Sequence, residues 1–116
     1  MRVYKRDDFL KLPAGIIFSQ GNKWCFQDIS VKGETLTNDF MYMDFCTLEA
    51  QNSDMLFTQL EDSLENGTSY TINESYTRDG YFDDQDVFLV FEKDDISKME
   101  GLLNESMTVR FKHGMD

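Results

Sequence analysis

The sequence predicts an α+β fold, with a mainly antiparallel sheet of about four to five strands packed against two to three helices. Residues 53–66 repeat apolar side chains at helical spacing, and residues 87–91 form an unbroken apolar run typical of an interior strand. Gly-Asn and Asp-Gly pairs mark tight turns between short strands. Since 116 residues is the length of one domain, residues 1–116 are expected to share one core.

A short helix is expected near the start of the chain. Asp7 and Asp8 suit the positive end of a helix dipole, and Pro13 with Gly15 ends the helix. Its apolar side would consist of Phe9, Leu10 and Leu12.

A hairpin and a third strand follow this helix. Residues 16–18 and 24–31 are the expected strands of the hairpin, and Asp28 interrupts the alternation in the second strand, which predicts a bulge. Gly33 is expected to open the next turn. Residues 40–48 form a third strand with apolar residues on both faces, so this strand is expected in the middle of the sheet.

The clearest helix covers residues 53–66, "SDMLFTQLEDSLEN". Asn52 or Ser53 can cap its start, and Gly67 stands where a left-handed residue ends a helix. The apolar residues repeat every three or four positions, which predicts one face turned towards the core, and the acidic residues would face water. The inward residues would be Leu56, Phe57, Leu60 and Leu64, and the outward ones Glu61, Asp62 and Glu65.

The last third of the chain predicts two further strands, a helix and a short terminal strand. Residues 70–76 alternate as a strand, Asp79-Gly80 is a turn signal, and residues 87–91 can be buried only inside the sheet. Asp94 and Asp95 would begin a final helix. Its inward residues would be Ile96, Met99, Leu102 and Leu103, and the terminal strand would contain Met107, Val109 and Phe111.

Charge limits the classes of partner. The chain has 22 acidic and 11 basic residues, a formal net charge of −11. Binding to nucleic acid or to an anionic membrane requires clustered Lys and Arg, so neither is expected. No window approaches the ~18 apolar residues of a membrane span, and the first residues lack the apolar region of a signal peptide. The expected location is cytoplasmic.

The aspartates before the apolar run have two interpretations. Flanking charges keep an aggregation-prone strand from pairing with other chains, and this accounts for their position. The surplus of acid over base favours a second role, an anionic ridge with interleaved aromatic rings that docks on a basic partner. The ridge would contain Glu74, Tyr76, Asp79, Tyr81, Asp83, Asp84 and Asp86, and Trp24 and Tyr42 are further candidate contact residues that also suit the core.

Enzymatic and metal-binding motifs are missing from the sequence. His113, the single histidine, lies near the end of the chain, and no nucleotide-binding, nucleophile-elbow or zinc-protease motif occurs. A glycosidase-type carboxylate pair carries no signal in a chain with 22 acids. Cys25 and Cys46 form no CxxC or Cys/His cluster, so both are expected to be small buried residues. The chain is therefore expected to be non-enzymatic and to need no cofactor.

Calcium is an alternative for the aspartate cluster. The segment 79–86 has its glycine at the second position, which does not fit the spacing of an EF-hand loop. A looser site of oxygen ligands stays open as a reading.

Two stretches, "YKRDDFLKLPAGIIFS" and "FDDQDVFLVFEKDDISKMEGLL", cover about a third of the chain. They resemble the beginning and end of small, uncharacterised acidic proteins encoded by phages and prophages. The shared features are structural, a short helix closed by Leu-Pro-x-Gly and a buried strand leading into a helix. The resemblance implies a factor that binds and blocks a protein of the bacterial host, and it transfers no catalytic residue.

Two functions therefore compete. The first is a protein-binding inhibitor or anti-defence factor whose acidic surface blocks a basic, nucleic-acid-handling host protein. The second is a structural or accessory domain that self-associates as a homo-oligomer and is acidic for solubility only.

Overall fold

An antiparallel sheet with helices at its ends and on one face forms the molecule. The computed structural model describes residues 1–22, 25–45, 47–80, 85–112 and 114. Within these residues there are six strands and three helices: β1 Arg2–Lys5, α1 Arg6–Phe9, β2 Ile17–Gly21, β3 Phe26–Leu36, β4 Asp39–Asp44, α2 Ser53–Asn66, β5 Thr77–Arg78, β6 Val87–Val90 and α3 Lys93–Lys112. The strand order is β1-β6-β2-β3-β4-β5. The predicted α+β class is confirmed, and the described strands outnumber the four to five expected.

The sequence prediction missed β1. This strand pairs with β6 along Val3–Leu89 and Tyr4–Phe88, and it forms one edge of the sheet. Its four residues, Arg-Val-Tyr-Lys, place two adjacent nonionic residues between two basic ones, which is neither an alternating pattern nor a long enough run to predict a strand. Charged side chains are suited to an edge, because they discourage pairing with other chains.

The core lies on one face of the sheet, beneath α1. Phe9 of α1 stacks on Phe88 with 4.1 Å between the ring centroids and also contacts the rings of Phe18 and Phe40. These four rings and Val90 are buried. The early helix and the interior position of the apolar run are thus confirmed, since β6 lies between β1 and β2.

The predicted hairpin is present as β2 and β3, with its irregularity in a different place. The register shifts between Ser19 and Gly21, not at Asp28. A Cβ at Gly21 would lie 2.1 Å from the carbonyl oxygen of Cys25, so only glycine permits this close approach. Cys25 is exposed in the loop of the hairpin, so its predicted burial is wrong; Cys46 and Trp24 lie outside the described residues.

Gly33 does not open a turn, because β3 continues through it to Leu36. The turn is Thr37-Asn38, where Asn38 has φ 59°, a left-handed conformation that Asn tolerates. β4 lies between β3 and β5, as an inner strand should, but it ends at Asp44. Beyond it, the predicted strand over 70–76 is reduced to an isolated bridge between Leu48 and Ile72, followed by the short β5.

The boundaries of α2 are as predicted, but its burial is not. The Asn52 side chain accepts a hydrogen bond from the Met55 N–H at 2.8 Å, and Gly67 ends the helix with φ 68°. The expected inward face is nevertheless exposed, with Phe57 63% and Leu64 87% accessible. The apolar spacing was correct, whereas the assumption that the sheet covers it was wrong.

The final helix is longer and more exposed than predicted. α3 continues to Lys112, so Met107, Val109 and Phe111 are helical, and the expected terminal strand is wrong. Leu102 and Leu103 are exposed rather than inward, while Ile96 and Met99 are half-buried. Among the described helices, none has the length and hydrophobicity required to cross a membrane.

Candidate functional site

The sheet face that carries the core is divided into an apolar half and a polar half. Side chains two positions apart on a strand share a face, so β2 presents Phe18 and Gln20 together, and β4 presents Phe40, Tyr42 and Asp44. Ser30 of β3 pairs with both Phe18 and Asp44, which joins these strands in one row. α1 covers the phenylalanines, and the polar residues extend beyond its cover.

The polar half forms a cavity of about 430 Å³, referred to below as the acidic cavity. Its described lining contains carboxylates, amides, a serine and a tyrosine, but no Lys or Arg. The acidic members are Asp28, Asp44, Asp79 and Asp86, and the other polar side chains are those of Gln20, Asn22, Gln27, Ser30 and Tyr42.

Hydrogen bonds hold two of these carboxylates in place. The Gln20 amide donates to Asp86 Oδ2 at 2.9 Å, which joins β2 to the residue just before β6. The Ser30 hydroxyl donates to Asp44 Oδ1 across the β3–β4 pair. Both donors are neutral, so they orient the carboxylates and leave their negative charge in the cavity.

Tyr42 lies between the acidic cavity and the core. Its ring is half-buried between the cavity and Phe40, with 6.1 Å between the ring centroids. Burial raises the pKa of the Tyr42 hydroxyl, and the charges of Asp44 and Asp79 raise it further, because a phenolate would be repelled by both. A positive group placed there would be attracted by the same charges.

A buried ion-pair network fixes one wall of the cavity. Arg6 of α1 reaches Asp79 at 3.2 Å and Asp39 at 3.5 Å, and Arg78 binds the other oxygen of Asp39. The N–H groups of Phe40 and Gly80 also donate to Asp39. Burial opposes the charge on Asp39, but these hydrogen bonds outweigh it and lower the pKa of Asp39.

The structure brings together part of the predicted anionic ridge. Asp79 and Asp86 both line the acidic cavity, although the side chain of Asp79 pairs with Arg6 and is only 6% exposed. Glu74 and Tyr76 are exposed and do not belong to the described lining. Tyr81, Asp83 and Asp84 lie outside the described residues, as does Trp24, whereas Tyr42 contacts both the cavity and the core.

Sequence reasoning missed Asp28 and Asp44 as members of the site. Asp28 and Ser30 share a face of β3, and Asp44 lies directly opposite Ser30 on β4. The alternation of side chains along β3 places Asp28 and Ser30 on one face, and this could be read from the sequence. Only the register of β3 against β4 shows that Asp44 lies beside them.

Among the described residues, no group of three or more His, Cys, Asp or Glu side chains is arranged to hold a metal ion. Comparison with protein families, with curated proteins and with solved structures finds no match to this chain.

Proposed function

We propose that this chain is a non-enzymatic protein-binding module whose acidic cavity accepts a Lys or Arg side chain of a basic partner. The observation that supports it is the described lining, which has no basic residue and has three carboxylates, Asp28, Asp44 and Asp86, in addition to Asp79, which already pairs with Arg6, on a face that α1 leaves open. A volume of about 430 Å³ lies within the usual range of ligand pockets and accommodates one long cationic side chain with its neighbours.

The physics favours Arg over Lys as the inserted residue. Carboxylates on low-dielectric walls focus their field into the cavity and raise the local concentration of cations. A guanidinium group can also hydrogen-bond two oxygens at once, and Gln20 and Ser30 have already oriented the oxygens of Asp86 and Asp44.

The partner class follows from the charge of the whole chain. A net charge of −11 steers the protein towards basic surfaces, and the most basic surfaces in cells belong to proteins that bind nucleic acid. In this role the chain would act as a phage-type inhibitor or anti-defence factor that occupies the groove of such a protein. Self-association, the second function considered, is supported separately by the exposed apolar faces of α2 and α3.

A labelled oligo-arginine peptide tests the proposal directly. We expect it to bind the protein at low salt, and we expect the combined Asp28→Asn and Asp86→Asn variant to bind at least about tenfold more weakly, or 1.4 kcal/mol. Fluorescence anisotropy at low and high salt measures both. Asn at position 86 can still accept the hydrogen bond from Gln20, so the fold should be retained.

The matched control removes the same number of charges elsewhere. Glu65→Gln with Glu105→Gln changes exposed positions on α2 and α3, which do not belong to the described lining of the cavity, and should alter binding less than twofold, about 0.4 kcal/mol. Equal losses in both variants would mean that net charge alone attracts the peptide, and the cavity would lose its assigned role. A further measurement is whether the protein releases duplex DNA from a preformed complex with the peptide.

A further inference from the structure

Two helices of this chain carry apolar stripes that nothing in the described structure covers. On α2 the stripe consists of Leu56, Phe57, Leu60 and Leu64, and on α3 it consists of Leu103, Met107 and Phe111, the last of them 78% exposed. Residues spaced by three and four positions share one helix face, so each stripe is continuous. The stripe of α3 is less sharply defined than that of α2, because Leu102 and Val109 are also exposed on other sides of α3. Apolar surface of this extent is normally buried.

The topology explains why one chain leaves both stripes uncovered. α2 follows β4 and precedes β5, at one edge of the sheet, while α3 follows β6, next to the other edge. Neither helix makes an extended contact with another described element. The radius of gyration is 16.7 Å, compared with roughly 13 Å for a compact domain of this length. The helices thus project from the sheet.

We propose that a second copy of this chain covers the stripes, with α3 of each copy packing on α2 of the other. Charge favours this pairing over α2 on α2. The sequence of α2 contains four acids, Asp54, Glu61, Asp62 and Glu65, and no base. Of these, Glu61 lies at the border of the stripe, since the helical period places it beside Phe57 and Leu64. α3 carries Arg110 and Lys112 in its last turn, and the helical period places Arg110 on the side of Leu103 and Met107. The proposed contact therefore brings α2, whose charged residues are all acidic, next to α3, whose last turn is basic.

The exposed area matches what a stable dimer requires. Counting roughly 100 Å² of apolar surface for each of the seven stripe residues gives on the order of 700 Å² per copy, close to the ~800 Å² that each partner buries in an interface of standard size. When α3 of each copy packs on α2 of the other, the dimer has two-fold symmetry. Both stripes of both copies are then covered, so no further subunits are added.

Light scattering coupled to size-exclusion chromatography tests the oligomeric state of the full chain. We expect the mass to rise with protein concentration to twice the 13.6 kDa of one chain and no further. Phe57→Ser with Phe111→Ser should give a folded monomer, because both side chains are exposed. A wild-type chain that stays monomeric at high micromolar concentration would overturn the proposal, as would growth beyond the dimer.

Charge reversal tests the pairing itself. One variant carries Glu61→Lys in α2, and the other carries Arg110→Glu in α3, because these are the charged residues that the helical period places beside the two stripes. Each alone places like charges across both contacts, so its dimer should dissociate at least about tenfold more readily. An equimolar mixture places opposite charges across both contacts and should restore the dimer.

These results distinguish the proposed contact of α3 with α2 from other dimer contacts and from other binding partners. Contact of α2 with α2 would leave the α3 variant as dimeric as the wild type, and contact of α3 with α3 would do the same for the α2 variant. Failure of the mixture to form heterodimers would overturn the exchange even if the wild-type chain dimerises. Binding of a monomer to lipid vesicles or to an unrelated protein, with no dimer, would assign the stripes to another occupant.

Discussion

At the scale of single residues, the interior of this protein contains fixed charges as well as phenylalanines. Asp39 and Lys32 are both fully buried, Asp39 in the network with Arg6 and Arg78, and Lys32 beneath α1. The Lys32 ammonium donates to the carbonyl oxygen of Leu12 at 2.9 Å and lies 5.7 Å from the ring centroid of Phe9. Burial lowers the pKa of Lys32. Through these contacts, α1 and the residues that follow it are joined to the sheet by polar groups as well as by Phe9.

Replacing Asp39 tests the network. Asp39→Asn removes the negative charge and leaves the partly buried Arg6 with fewer partners, so the free energy of unfolding should fall by about 3 kcal/mol. Urea denaturation measures this loss. Because the folded-state pKa of Asp39 lies below its ordinary 3.8, the stabilisation is present above about pH 4 and is lost as the pH falls through the lower value.

The acid dependence separates Asp39 from other carboxylates. Below about pH 4, the wild-type protein should lose stability more steeply than Asp39→Asn. Glu74→Gln removes one exposed charge and should keep the wild-type slope. Parallel curves for the wild type and Asp39→Asn would show that the network contributes nothing to acid sensitivity.

Gly33 is required by close packing rather than by a turn. A Cβ at this position would lie 2.9 Å from the Cβ of Met41 and 3.0 Å from the ring of Tyr76. Gly33→Ala should therefore destabilise the protein by about 1–3 kcal/mol, which is the usual cost of overpacking. Thermal unfolding measures it, and an unchanged midpoint would mean that β4 and Tyr76 yield freely.

At the scale of elements, the sequence predicted the positions of helices and strands better than it predicted which elements pack against them. The apolar run of β6 requires burial on both faces, so its interior position followed directly. The spacing of Leu56, Leu60 and Leu64 correctly predicted a helix, but the same spacing serves a core and an interface equally well. β1 was missed because four residues show too little pattern to predict a strand, and its pairing depends on β6, which is distant in the sequence.

Gly101 tests whether α3 behaves as an independent helix. A Cβ there would meet nothing within 4 Å, so Gly101→Ala should stabilise α3 by about 0.8–1 kcal/mol through helix propensity alone. Hydrogen exchange of the monomeric chain should show added protection confined to the amides of α3, because within one chain the helix makes no extended contact with the sheet. Equal added protection in β2 and β6 would instead show that α3 unfolds together with the core.

At the scale of the whole molecule, charge and shape act together. The net charge of −11 keeps copies apart at a distance, while the projecting α2 and α3 offer apolar area and local opposite charge at contact. The acidic cavity lies on the open half of the sheet, separate from both stripes. Composition alone predicted an acidic surface, but the convergence of Asp28, Asp44, Asp79 and Asp86 depends on strand register, which composition does not contain.

The insertion of β6 between β1 and β2 affects how the chain can fold as it is synthesised. β1 and β2 are synthesised before β6, the strand that pairs with both of them. Val3 of β1 and one edge of β2 therefore lack their partners until Leu89 and Phe88 have been synthesised. Such non-local pairing slows folding, because the loop must close before the contacts form. Until then the nascent chain exposes unpaired backbone, and a transcript cut short before β6 would encode a product that cannot complete its sheet.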